Sequence, residues 1–134
     1  MTLSTSRRSG SDLRAAAVRY TATAMVCGGF SAIYECLSHG VHSDFMVFLF
    51  AVPLVMGTVP ALVLALAGRE PPAAARRLWA CAVLTLSLGF CVEGALEIYG
   101  TTSELVMVYW VLAPVLAMAA VVVGLGAACR GPQR

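Results

Sequence analysis

The chain has 134 residues, 60% of them hydrophobic and only 12% charged, with a formal net charge of +2. A water-soluble domain gives about a quarter of its residues to charge. This composition therefore excludes a chain that clothes itself in a polar surface, and the length excludes more than one ordinary domain.

Residues 1–19 form a basic N-terminal segment rich in Ser, Arg and Ala, irregular at first, with a helix beginning over Asp12–Arg19 at a membrane surface. Arg7-Arg8 lacks the hydrophobic stretch that follows in a twin-arginine signal. No small-residue cleavage site follows the first apolar run. The first span is expected from Tyr20 to Leu37, and Ser38–Ser43 is a polar turn. The second span covers Asp44–Ala67 and contains Pro53, Gly57 and Pro60, completing a first hairpin over 20–67. Residues 68–77, with Pro71-Pro72, form a loop. A second hairpin over 78–128 holds a third span, Leu78–Tyr99, the turn Gly100–Ser103 and a fourth span, Glu104–Ala128. Residues 129–134 are a basic tail. Each run approaches the ~20 residues needed to cross ~30 Å of hydrocarbon. The fold class is thus an all-α membrane protein with four transmembrane helices.

All nine basic residues are arginines. Arg7, Arg8, Arg14 and Arg19 precede the first span; Arg69, Arg76 and Arg77 lie between the second and third; Arg130 and Arg134 follow the fourth. The two remaining turns have none. By the positive-inside rule both termini and the middle loop are cytoplasmic, in a multi-pass protein of the inner (plasma) membrane. The arginines are scattered and no aromatic platform accompanies them, which argues against nucleic acid as a partner. The expected partners are the bilayer itself and a second copy or a larger membrane complex.

An internal repeat is visible at a constant offset. Gly29-Phe30 recurs as Gly89-Phe90, Gly40 as Gly100, and Ser43-Asp44-Phe45 as Ser103-Glu104-Leu105. The chain reads as two duplicated hairpins in parallel orientation. Ser43 and Ser103 can cap the following helices, with Asp44 and Glu104 in the first turn, where the macrodipole favours negative charge. Gly40 and Gly100 permit the reversal.

Apart from Asp12 and Glu70, every acid falls in the outer half: Glu35, Asp44, Glu93, Glu97 and Glu104. The only basic groups there are His39 and His42. Glu93 lies about 10 Å below Gly100 by helical rise, too deep for a short side chain to reach water easily. Glu93 and Glu97 share a helical face, as do Glu35 and His39, with Gly28 and Ser31 extending that stripe inward. The two faces are expected to meet in one pocket. Carboxylates without permanent cations hold protons, pair with imidazolium or bind an external cation. Glu35, His39, His42, Glu93 and Glu97 are the candidate ligands, and carboxylate plus imidazole suits a divalent metal such as zinc. Haem is a weaker reading, because His39 and His42 on one turn cannot clamp both faces of a single haem. Each feature also has a structural explanation: turn histidines meet water, and Glu97 can reach the surface. Tyr34, Tyr99, Tyr109 and Trp110, with Tyr20 and Trp79 at the other end, match interfacial belts, and a quinone pocket would use the same aromatics. Pro53, Pro60 and Pro114 kink spans. Cys27, Cys36, Cys81, Cys91 and Cys129 form no CxxC pair and read as small packing residues.

The segments Tyr34-Glu35-Cys36-Leu37-Ser38-His39-Gly40-Val41-His42-Ser43-Asp44-Phe45-Met46 and Leu96-Glu97-Ile98-Tyr99-Gly100-Thr101-Thr102-Ser103 resemble a pattern in small four-span bacterial integral membrane proteins of unassigned function. The resemblance covers most of the chain outside the termini and implies a class without an activity. Size and span number are also similar to the small multidrug-resistance transporters. Those carry a glutamate midway along the first span, whereas Glu35 lies near its outer end and the arginine bias is strong.

Three functions follow as expectations. The first is binding or transport of a proton or divalent cation at the outward carboxylate and histidine site. The second is a redox subunit holding haem or quinone, with His39 as ligand. The third is a non-catalytic structural or assembly subunit. No phosphate loop, nucleophile elbow or soluble catalytic domain is present, so an enzyme is the less expected outcome.

Overall fold

A computed structural model describes residues 3–37 and 42–129, with side chains from residue 11 onward. The described residues form helices and turns without strands. Four helical segments follow in chain order: α1 (Leu3–Leu37), α2 (Asp44–Leu66), α3 (Ala73–Tyr99) and α4 (Glu104–Cys129). The segments α2, α3 and α4 are long and apolar enough to cross a membrane. The α1 apolar run is diluted by Thr21, Thr23, Gly28, Gly29, Ser31 and Glu35, and α1 falls short of the other three by composition.

α1 starts earlier than its sequence suggests, at Leu3 rather than near Asp12. Good helix formers from Leu13 to Ala17 carry the helix across the segment. Its 35 residues span ~52 Å at the helical rise, well beyond the ~30 Å of a hydrocarbon core. Leu13, Ala17, Ala24 and Ser31 are its buried positions. They form one stripe, and that stripe faces α2 along its length.

α2 is irregular for a reason its prolines supply. It is α-helical over Asp44–Phe48, widens to a π-helical turn over Pro53–Thr58, and returns to α over Val59–Leu66. The Val59 N–H reaches back to the Leu54 carbonyl, the spacing of a π-turn. In a regular helix the Met56 carbonyl would bond the N–H of residue 60, and proline has none. The Trp79 indole N–H of α3 donates to that carbonyl at 2.7 Å instead. On the opposite side Tyr20 packs directly onto Gly57, and the hydroxyls of Thr21 and Thr58 meet at 3.1 Å. The widened turn is therefore held from both α1 and α3.

Both ends of the α2–α3 and α3–α4 connections are built from local backbone chemistry. Gly68 (φ 62°) and Gly100 (φ 68°) occupy the left-handed region, where glycine is favoured. Each ends its helix with paired carbonyl closures: Arg69 N–H to Leu64 and Gly68 N–H to Ala65, then Thr101 N–H to Leu96 and Gly100 N–H to Glu97.

The helices pack in sequence, α1 on α2, α2 on α3, and α3 on α4. Gly89 lets α3 approach α4, where an added Cβ would lie 2.9 Å from the Tyr109 Cβ. Among the described residues α4 has no close backbone neighbour except α3. Rings of Phe45, Phe90 and Trp110, with centroids 5.3–5.8 Å apart, tie α2, α3 and α4 together near the acidic end.

Candidate carboxylate and histidine site

The acidic end is organised around the start of α2. Ser43 has extended backbone angles (φ −118°, ψ 123°) and its Oγ accepts from the Met46 N–H at 3.3 Å, as an N-cap does. Ser103 does the same for α4 (φ −139°, ψ 125°), accepting from the Leu105 N–H at 3.4 Å. Asp44 and Glu104 stand in the first turns behind them. Met46 and Val106, three residues past each serine, are both buried.

Ser43 has a second role that sequence reasoning missed. Its hydroxyl donates to Glu97 Oε2 at 2.6 Å. The cause lies one turn earlier in α3. At Gly94 an added Cβ would sit 2.9 Å from the Met46 backbone nitrogen, so absence of a side chain lets α3 touch the α2 backbone. Glu97, three residues on, then stands over the α2 N-terminus, where a carboxylate is favoured by the helix dipole. Ser31 of α1 completes the seat, its buried hydroxyl donating to the Met46 carbonyl at 2.5 Å.

Glu35 approaches His42 instead. Oε2 lies 3.5 Å from His42 Nδ1, with the carboxylate three-quarters shielded and the imidazole 73% exposed. The Tyr34 and Tyr99 side chains lie alongside, bringing α1 near α3. Adjacent residues His42 and Ser43 are thus held by two carboxylates from different helices. Glu93 is half-buried. It lies one turn beyond Gly89, the residue against Tyr109 of α4, and makes no ion pair or side-chain hydrogen bond among the described residues.

Of the five candidate ligands, the structure pairs Glu35 with His42 and joins Glu97 to Ser43 rather than to Glu93. His39 lies outside the described residues, as does Gly40. Among the described residues no three His, Cys, Asp or Glu side chains gather around one ion position. The described cysteines are all free thiols. The signal for the Ser43 bond was Gly94, a glycine three residues before an acid in an apolar helix.

Helical fold, apolar surface and polar end together define a membrane-embedded helical protein. Comparison with protein families, with curated proteins and with solved structures finds no match.

Proposed function

We propose that this is a small four-span membrane protein, both termini cytoplasmic, whose outward end binds a proton or a divalent cation through Glu35 and His42, with His39 and Glu93 as further donors. One observation carries the reading: the Glu35–His42 contact at 3.5 Å, beside turns (38–43 and 100–103) whose sequences contain no lysine or arginine. The imidazole is exposed and the carboxylate shielded, so an external proton or ion reaches the pair from the histidine side. A proton fits this pair most directly. A zinc ion would need one or two more ligands, which the other candidate residues or a second copy would supply. The span assignment of α1 is supported by its length and by the arginine pattern, which keeps Arg7, Arg8, Arg14 and Arg19 on the same side as Arg69, Arg76 and Arg77. A parallel duplication is supported by the matching serine caps of α2 and α4.

The test uses detergent-purified full-length protein. Thermal unfolding is followed from pH 5 to pH 8, the range in which imidazoles commonly change charge, with and without zinc, for the wild type, Glu35→Gln and His42→Gln. The wild-type midpoint is expected to depend on pH or zinc, and each variant to flatten that dependence. Identical profiles in all three proteins would sink the proposal.

A further inference from the structure

The end of the bundle opposite the histidines carries a concentrated positive surface. Arg69, Arg76 and Arg77 lie there, exposed except the half-buried Arg76, while Arg14 and Arg19 are exposed along α1. Asp12 and Glu70 are the acids at that end, and among the described residues neither pairs with an arginine. Arg69 sits on the short connection between the apolar helices α2 and α3, Arg76 and Arg77 lie at the start of α3 that follows it, and that connection is stiff. Gly68 and its paired carbonyl closures fix the exit from α2. Pro71-Pro72 fix the entry to α3, where the Arg76 N–H bonds the Pro72 carbonyl at 3.1 Å. Arg76 and Arg77 occupy the first turn of α3, which holds no acid, so their charges oppose the helix dipole. Just inside this cationic rim, Leu66 is 82% exposed and Leu62 is exposed with it.

We propose that the α2–α3 connection, together with the first residues of α3, binds the headgroup of an anionic phospholipid. The guanidinium groups of Arg69, Arg76 and Arg77 hold its phosphate, and its acyl chains lie along Leu62 and Leu66. Two features select a lipid over a soluble anion. Among the described residues the cations make no ion pair, and they stand on a rigid turn and the helix start after it, suited to charge-assisted bonds to phosphate oxygens. The apolar surface directly beneath them would be exposed to water in any other setting but lies where a leaflet's hydrocarbon begins. The site is distinct from the Glu35–His42 pair and does not depend on it.

The test is lipid add-back to full-length protein purified in neutral detergent. The thermal midpoint is read with phosphatidylcholine alone, with phosphatidylcholine mixed with phosphatidylglycerol, and with inorganic phosphate. Phosphatidylglycerol is expected to raise the midpoint above the phosphatidylcholine value, and high salt to erase the gain. The triple variant Arg69→Gln, Arg76→Gln, Arg77→Gln should lose most of the gain, whereas Arg14→Gln with Arg19→Gln should keep it. If the triple variant does not fold, the three single variants serve. Each is then expected to retain several-fold less phosphatidylglycerol through purification, counted by native mass spectrometry. An equal midpoint in both lipids, or an undiminished gain and retention in the variants, overturns the proposal. So does inorganic phosphate reproducing the full gain, which would assign the arginines to a soluble anion.

Discussion

Gly94→Ala should uncouple α2 from α3 and loosen the acidic end with it. The new methyl would stand 2.9 Å from the Met46 nitrogen, 3.1 Å from its Cβ and 3.2 Å from its Cα. Two of those three atoms are backbone, so no rotamer change relieves the contact, and α2 must move by a few tenths of an ångström or more. Overpacking of this kind costs about 1–3 kcal/mol. The same shift stretches the Ser43–Glu97 bond from 2.6 Å. Hydrogen bonds to charged groups contribute about 1.5–3 kcal/mol, and Glu97 is exposed, so only a fraction of that is at stake. The total expected loss is about 2 kcal/mol. Gly29→Ala is the control, because nothing lies within 4 Å of its added Cβ. There the helix-interior preference for alanine should give a gain of about 0.5–1 kcal/mol. Equilibrium unfolding of both variants in mixed micelles measures the difference. Combining Gly94→Ala with Ser43→Ala should be clearly less costly than the sum of the two, since both act on one bond. A neutral Gly94→Ala, or additive behaviour with Ser43→Ala, would refute the close-approach argument.

Trp79→Phe should cost about 1 kcal/mol, the net worth of one hydrogen bond, here the part-buried bond to the Met56 carbonyl. In a Pro60→Ala background residue 60 regains its own N–H, so the Trp79→Phe cost measured by the same unfolding assay should fall. Ser43→Ala should destabilise more than Ser103→Ala, about 1 kcal/mol for the simple cap at Ser103 and more at Ser43, which also donates to Glu97. The Glu35–His42 attraction is present only while the imidazole is protonated and the carboxylate ionised. With His42 73% exposed, the effect is a few tenths of a kcal/mol, read as a flattened pH profile in His42→Gln. For topology, single cysteines at Thr101 and Glu70 in a cysteine-free background should label from opposite sides of the membrane in intact cells.

Features fixed by local chemistry were legible in the residues alone. Ser43 and Ser103 cap, and Gly100 takes positive φ, because side-chain oxygen and missing Cβ act within a few residues. Three apolar helices followed from run length and composition. Other features depend on what lies across from a residue, which periodicity does not encode. The spacing of Glu93 and Glu97 marked a shared face, yet the partner of Glu97 is the start of α2, decided by Gly94. Pro53 and Pro60 announced a distortion in α2. Its π-turn form depends on where Tyr20 and Trp79 reach. The early start of α1 was hidden because Ser, Arg and Gly near the N-terminus read as irregular, whereas the Leu and Ala that follow sustain a helix.

The two carboxylates that hold the His42–Ser43 dipeptide differ in what they remain able to do. Glu97 is satisfied by a neutral hydroxyl that also caps a helix, and by the positive end of that helix. Both partners suit a carboxylate, so its role is to seat α2 on α3. Glu35 faces an imidazole, a partner whose charge changes in the physiological range. Its interaction with the neighbouring turn can therefore be made and unmade without disturbing a helix cap. That difference explains why the functional proposal rests on Glu35 and His42, although Glu97 makes the shorter contact. It also separates the two experimentally: Glu97→Gln should lower stability at every pH, while Glu35→Gln should change mainly the shape of the pH profile.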